Sequence, residues 1–135
     1  MPEPVGADSQ SGATGSMRSL LLVAHGSRRR ESNDEVRSLA EGLRGRAGGR
    51  FDIVQCAFLE LAEPSISDGI DACIASGAGT VVVIPYFLSA GRHVVEDIPE
   101  LVAAKRRQHP KVRIELAPHL GAAEDIAQLL LDQAG

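Results

Sequence analysis

Short apolar runs alternate with longer amphipathic segments along this chain from about residue 17 onward. The apolar runs are rich in Leu, Val and Ile and have the length of single β-strands, roughly four to eight residues. Two of them, near residues 20 and 81, are almost continuously apolar, which is typical of strands buried on both faces of a parallel sheet. The predicted strands are about Ser19–Ala24, Phe51–Phe58, Thr80–Ile84 and Val112–Ala117.

The segments between and after these strands repeat apolar residues at helical spacing. Ser32 and Glu35 have the S-x-x-E spacing of a capping box, so the first helix is predicted to begin near Ser32 and to end before Gly48. Pro64 suits the first turn of the second helix. The predicted helices are about residues 32–47, 64–77, 97–108 and 122–131. Strands that alternate with helices predict an α/β fold with a four-stranded parallel sheet and helices on both faces.

The first sixteen residues differ from the rest of the chain. Residues Met1–Ser16 are rich in Gly, Ser, Ala and Pro, show no periodicity, and lack the basic start and apolar stretch of a signal peptide. They are predicted to form a disordered N-terminal extension. Residues 17–135 are predicted to form a single domain.

Composition narrows the classes of partner. The chain is 44% hydrophobic but only 3% aromatic, has no Trp, and carries a net charge of −4, which argues against a nucleic-acid-binding surface. No apolar run is long enough to span a bilayer. Cys56 and Cys73 lie in apolar segments and are predicted to be reduced core residues. A cytoplasmic protein without nucleic-acid or membrane partners is expected.

Two histidines follow predicted strands. His25 comes directly after the first strand, and His93 lies in the segment that follows the third. Because ligands bind at the carboxyl ends of parallel strands, both imidazoles are expected at one edge of the sheet. Imidazole suits divalent cobalt, nickel, iron and zinc, so the pair predicts a metal site. The alternatives are a turn-capping role for His25 and a surface position for His93.

Three segments of the chain would lie at this same edge. They are LVAHGSR at 22–28, AFLELAEPSI at 57–66 and PYFLSAGRHVVEDIP at 85–99. In this order and at this spacing they resemble the small class II chelatases of tetrapyrrole synthesis, the single-domain sirohydrochlorin chelatases. The resemblance covers Met17 to about Leu131.

This resemblance implies a fold and an activity. The fold would be the flavodoxin-like chelatase fold. One chain would correspond to half of the longer, two-domain chelatases, and two chains are expected to pair as a homodimer. The activity would be that of a lyase that inserts a divalent metal into sirohydrochlorin in cobalamin, sirohaem or related cofactor biosynthesis. Co²⁺ is favoured as the metal, with Ni²⁺ and Fe²⁺ open. The metal would be a substrate, and no prosthetic group is expected.

The resemblance also assigns roles to residues of this sequence. It makes His25 a metal ligand and the proton acceptor, and His93 the second metal ligand. Glu63 would contact the substrate, although a carboxylate before Pro64 also suits a helix N-terminus. An accessory proton or metal role is open for Glu60. The substrate-binding loop would consist of Phe87, Leu88, Ser89, Ala90, Gly91 and Arg92.

These residue types fit metal insertion on chemical grounds. Two neutral imidazoles and water leave an open coordination site, unlike a four-ligand structural zinc site. An imidazole also exchanges protons near neutral pH. The apolar residues of the loop would line the flat face of a macrocycle. A basic rim that pairs with substrate carboxylates is predicted at Arg28, Arg29, Arg30 and Arg92, the alternative being a solvated loop.

Other functions fit less well. A histidine phosphatase would have Arg directly before His-Gly, where this chain has Ala24. No G-x-S-x-G nucleophile elbow and no Walker or dinucleotide glycine motif is present. The alternative that stays open is a non-catalytic carrier that binds metal or tetrapyrrole through the same two histidines.

Overall fold

The computed structural model describes residues 16–135, so the predicted N-terminal extension lies outside the described residues apart from Ser16. Within these residues, four parallel strands form one sheet. The strands are β1 (Met17–Ala24), β2 (Ile53–Phe58), β3 (Ala78–Pro85) and β4 (Arg113–Leu116), and their order in the sheet is β2-β1-β3-β4. The predicted four-stranded parallel sheet is confirmed.

In the described part of the chain, four α-helices accompany the sheet. They are α1 (Arg30–Arg46), α2 (Ile66–Ala75), α3 (Ile98–Gln108) and α4 (Ile126–Ala134). A π-helical turn, His93–Asp97, runs directly into α3, and a 3₁₀ turn, Leu120–Ala122, follows β4. Within residues 16–135, no helix combines the length and the apolar character needed to cross a membrane.

The core has a layer on each face of the sheet, because successive side chains of a strand point to opposite faces. Leu21 and Val23 of β1 pack with α2 and α3 in the larger cluster. Leu22 of β1 packs with Ala40 of α1 on the other face. The prediction of helices on both faces is therefore confirmed.

Both cysteines are free thiols, as predicted. Cys73 is completely buried in the larger cluster, and this burial raises the pKa of its thiol above the ordinary value. Cys56 is only half-buried and packs at the margin of the cluster beneath α1. The prediction of a core position is confirmed for Cys73 and holds only in part for Cys56.

Two predicted helix starts were wrong. Helix α1 begins at Arg30 rather than Ser32, and its N-cap residue makes no side-chain capping bond, so the predicted capping box does not form. Pro64 lies before α2, because its carbonyl accepts a hydrogen bond from the Phe58 amide at 2.8 Å. Ser65 caps α2 instead, its hydroxyl accepting from the Asp68 amide at 3.1 Å.

The last helix also begins later than predicted. Residues Leu120–Ala122 form the 3₁₀ turn, and α4 starts at Ile126 rather than Ala122. The Gly121 amide donates to the Phe87 carbonyl at 3.0 Å, which ties this turn to the loop after β3. A tertiary contact therefore takes the place of the helical turn that the local pattern predicted.

The strand order places β1 beside β3, and the helices that follow them lie on opposite faces. The connection that follows β1 and the one that follows β3 therefore leave the sheet on opposite sides. This is a topological switch point, where a crevice forms at the carboxyl ends of the strands. The segments after β1 and β3 both reach this crevice.

Candidate functional site

The side chains of His25 and His93 lie together at the switch point. Their ring centroids are 5.1 Å apart and the ring planes are inclined by 55°. Their side chains are 45% and 41% exposed, so both rings are accessible from solvent. The structure therefore brings together the two residues that the sequence predicted as metal ligands.

The two nitrogens of His25 have different surroundings. Nδ1 lies 2.9 Å from the Gly26 carbonyl oxygen. A carbonyl only accepts hydrogen bonds, so a ring that carries its hydrogen on Nδ1 donates it to Gly26. Nε2 lies 3.2 Å from Oε2 of Glu60, which is also an acceptor. The neutral ring has its free lone pair on Nε2 only in the tautomer with the hydrogen on Nδ1.

The π-helical turn orients His93. Its Nδ1 lies 2.7 Å from Oδ2 of Asp97, four residues along the chain. A carboxylate that accepts a hydrogen bond from Nδ1 leaves Nε2 as the metal-binding atom and is a common partner of ligating histidines. Local irregularities of this helical type are frequent at functional sites.

Backbone contacts join the segments after β1 and β2. The Leu59 and Glu60 amides donate to the carbonyls of Ala24 and His25 at 2.9 and 3.0 Å. Gly26 has a φ of +93°, and a Cβ there would overlap the Glu60 carbonyl oxygen. Glycine is required at this position, because only a residue without a side chain permits both the dihedral angle and the approach.

A mostly apolar cavity of about 420 Å³ adjoins His93. Of the predicted substrate loop, Phe87, Leu88, Ser89 and Gly91 line it, whereas Ala90 and Arg92 are exposed and do not. Tyr86 and Val94 also line the cavity and were not predicted. Tyr86 directly follows β3, and this position at the carboxyl end of a strand could have predicted that it lines the cavity.

Glu63 lies apart from this cavity. Its side chain is exposed, and its backbone carbonyl accepts a hydrogen bond from Nη2 of Arg37 at 3.0 Å. The structure does not bring its carboxylate to the two histidines, and a substrate contact for Glu63 stays a prediction.

The predicted basic rim is exposed. Arg28 and Arg29 precede α1, Arg30 is its first residue, and within residues 16–135 none of the three forms an ion pair. Arg92 is 77% exposed, and its Nε lies 3.7 Å from Glu96. These guanidinium groups are accessible to an anionic ligand.

Two carboxylates contact the histidines: Glu60, for which the sequence left an accessory role open, and Asp97, which was not predicted. Glu60 follows β2, which pairs with β1 in the register Ala24 to Phe58, and this pairing brings Glu60 to His25. Asp97 stands four residues after His93, and that spacing was a usable signal. Among the described residues, no three or more His, Cys, Asp or Glu side chains form a metal-binding group.

The fold and site define a flavodoxin-like α/β protein with a two-histidine site at the carboxyl edge of its sheet. Residues 19–135 match the family model described as CbiX. The chain belongs to the CbiX family, and the predicted resemblance to small chelatases is confirmed.

Relatives of different lengths match this chain. Sirohydrochlorin ferrochelatase, chloroplastic, from Arabidopsis thaliana is 40% identical over 102 residues, which cover 76% of this chain and 44% of that protein. Sirohydrochlorin cobaltochelatase from Sulfurisphaera tokodaii is 32% identical over 117 residues, covering 87% of this chain and 91% of that protein. The chain thus spans less than half of the first relative and most of the second.

A solved structure shows the same fold. The sirohydrochlorin chelatase SirB from Bacillus subtilis subspecies spizizenii, in complex with cobalt, superposes with a TM-score of 0.76 at 31% sequence identity. The match covers 88% of this chain and 50% of that chain. One SirB chain is therefore about twice as long as the matched module.

Proposed function

We propose that this protein is a chelatase that inserts a divalent metal ion into sirohydrochlorin or a close tetrapyrrole relative. The observation that carries the proposal is the pair of imidazoles, whose ring centroids lie 5.1 Å apart and of which His93 lines a mostly apolar cavity. The sirohydrochlorin chelatases among its relatives support the same activity.

In this proposal the metal is a substrate held by the Nε2 atoms of His25 and His93. With the Nδ1 hydrogens donated to the Gly26 carbonyl and to Asp97, both Nε2 atoms would present a lone pair to the metal. Two protein ligands leave the remaining coordination positions for water and for the incoming macrocycle. Cobalt is the first metal to test, with nickel and ferrous iron as competitors, because all three suit imidazole.

Metal insertion releases two protons from the macrocycle for each divalent ion. When the ion passes from His25 to the ring nitrogens, Nε2 becomes free to accept one pyrrole proton. Glu60, at 3.2 Å, is in position to accept the second or to relay the first to solvent. The ion and the protons thus exchange places at one pair of side chains.

The cavity supplies the surface for the macrocycle. Phe87 and Leu88 offer apolar contact, and Gly91 lets the backbone approach the ring. Arg28, Arg29, Arg30 and Arg92 would pair with the carboxylates at its periphery, and Glu63 and Ala90 would contact the same ligand from outside the cavity.

The chain is further proposed to act as a homodimer. The cavity is open on one side, and SirB carries about twice the length of the matched module. In this chain a second copy would supply the missing wall.

The decisive experiment compares metal insertion with and without protein. Absorbance spectra should show that the protein accelerates Co²⁺ insertion into sirohydrochlorin and that the double variant His25→Ala/His93→Ala has no activity above the spontaneous rate. His109→Gln is the matched control, because His109 follows the far end of α3, and it should keep the wild-type rate.

Two results would contradict the proposal. Equal rates with and without the wild-type protein would leave a carrier of metal or tetrapyrrole as the interpretation. An active double variant with native circular dichroism would show that the two histidines are not the insertion site.

A further inference from the structure

Asn33 is a buried polar residue in the first turns of α1. It is only 7% exposed, and its carboxamide does not cap the helix that contains it. Oδ1 accepts from the Ser27 amide at 3.0 Å, and Nδ2 donates to the Ser27 carbonyl at 2.8 Å. The side chain therefore binds both backbone groups of one residue, two positions after His25.

One peptide unit connects these contacts to His25. The Ser27 amide and the Gly26 carbonyl belong to the same planar peptide group. Asn33 holds the N–H end of this group, and its C=O end accepts the hydrogen on Nδ1 of His25 at 2.9 Å. Because the group is rigid, fixing its amide also fixes the direction of its carbonyl.

We propose that Asn33 is a positioning residue that holds His25 in the tautomer with a hydrogen on Nδ1 and a free lone pair on Nε2. The inference rests on the proposed function only in taking Nε2 as the atom that binds metal. A neutral imidazole carries its hydrogen on either nitrogen, and the bond made by one nitrogen decides the state of the other. Without the Gly26 carbonyl in place, Nε2 would gain the hydrogen by donating to Glu60, and its lone pair would be lost.

The chemistry of the side chain suits this role. Asparagine offers one acceptor and two donors on a short stem, so it complements both the N–H and the C=O of a backbone residue. His93 obtains the same orientation from a carboxylate at 2.7 Å. In this proposal both rings carry the hydrogen on Nδ1. His93 donates it directly to Asp97, whereas His25 donates it to a peptide group that Asn33 holds in place.

The test compares Asn33→Ala with Asn33→Asp. The alanine variant loses both contacts, whereas Asn33→Asp retains an acceptor for the Ser27 amide and places a carboxylate oxygen, in place of the donor, against the Ser27 carbonyl. Nitrogen NMR of the ¹⁵N-labelled ring, at a pH where the imidazole is neutral, reports which nitrogen of His25 carries the hydrogen. We expect Nδ1–H in wild type and in Asn33→Asp, and a shift toward Nε2–H in Asn33→Ala.

Cobalt binding gives a second measurement. Titration of the folded proteins with Co²⁺ should show that Asn33→Ala lowers the affinity about tenfold, as is typical when a residue that orients a metal ligand is replaced. Asn33→Asp should restore most of this loss. If Asn33→Ala does not fold, Asn33→Ser replaces it, because its hydroxyl is too short to reach Ser27 and the same loss is expected.

Val36→Ala is the matched control. Val36 lies on α1 and packs against the core cluster formed by Leu22, Ala40 and Val54. Its truncation therefore lowers stability without removing a contact to the loop that carries His25. We expect an unchanged tautomer and unchanged Co²⁺ affinity in this variant. A tautomer change in Val36→Ala equal to that in Asn33→Ala would reduce the role of Asn33 to general stability.

The inference is overturned if Asn33→Ala retains Nδ1–H at wild-type level, or if Asn33→Asp loses it to the same extent. Neither readout depends on turnover. A wild-type protein that fails to accelerate metal insertion would therefore sink the proposed function and leave the tautomer measurement as a separate test of Asn33.

Discussion

At the scale of single residues, the site depends on how closely two loops approach. The Gly26 backbone contacts the segment that carries Glu60, and its positive φ of +93° excludes an ordinary side chain. Glu60 would move away from Nε2 of His25 if this contact were opened. Gly26 has no side chain, yet its close approach sets the distance between His25 and Glu60.

Gly26→Ala should therefore damage both the fold and the site. We expect the free energy of unfolding to fall by about 1–3 kcal/mol, as for other overpacked positions, and Co²⁺ binding to weaken in the protein that remains folded. Urea denaturation and Co²⁺ titration measure the two effects. Gly42→Ala is the control, because a Cβ on that residue of α1 meets nothing within 4 Å, and it should be neutral or stabilising.

At the scale of secondary-structure elements, a buried cation joins α2 to α3. Lys105 of α3 is 5% exposed, and its Nζ lies 2.9 Å from each carboxylate oxygen of Asp71 in α2. Nε2 of His109 lies 3.1 Å from the same carboxylate. The hydrogen bond from Lys105 is the main cause that holds the pKa of Asp71 below its ordinary value.

This lowered pKa predicts an acid-sensitive contact between α2 and α3. The folded state favours the Asp71 carboxylate, so its contribution is complete above the ordinary carboxyl range and is lost as pH falls through the lower folded-state pKa. Asp71→Asn should cost about 1 kcal/mol near neutral pH, because Lys105 loses its anion and keeps Gln108 as a partner, while solvent already screens the half-exposed carboxylate. The variant should also lose stability less steeply than wild type as the solution is acidified.

Urea denaturation of both proteins across the acid range measures this difference. Asp34→Asn is the matched control, because Asp34 forms an exposed pair with Arg37 on α1, and such pairs contribute little. Parallel pH profiles for wild type and Asp71→Asn would refute the linkage.

At the scale of the whole molecule, α4 leaves its apolar residues largely exposed. It contains no buried residue, and Leu129, Leu130 and Leu131 are 51%, 66% and 64% exposed. A helix of nine residues is only marginally stable on its own. Helix α4 therefore needs to pack its exposed leucines against a partner to stay helical. This exposed surface of α4 is the one assigned to the proposed second copy.

Leu130→Gln/Leu131→Gln should therefore weaken the homodimer. Light scattering coupled to size exclusion should give twice the 14.2 kDa chain mass for wild type and a shift toward one chain for the variant. Leu39→Gln, at a 38% exposed position on α1, is the control and should keep the wild-type mass. A wild-type mass of one chain at all concentrations would contradict the homodimer.

The larger units of this fold were predictable because their signals are local. Four apolar runs and the helical periodicity between them predicted the strands and helices, and their alternation predicted a parallel sheet. Element ends were less predictable where side chains or backbone groups outside the element compete for the backbone. Asn33 binds Ser27 in place of the predicted capping box, and the Pro64 carbonyl is taken by Phe58 before α2 begins.

The sequence by itself determined the α/β class and the positions of His25 and His93 after two strands, because burial periodicity and strand ends are properties of neighbouring residues. Only the tertiary structure decided that these histidines meet, since this depends on β1 pairing with β3. It also decided which group each ring nitrogen faces. Glu60 comes to Nε2 of His25 from 35 positions along the chain, and only folding brings such a distant residue within hydrogen-bond distance.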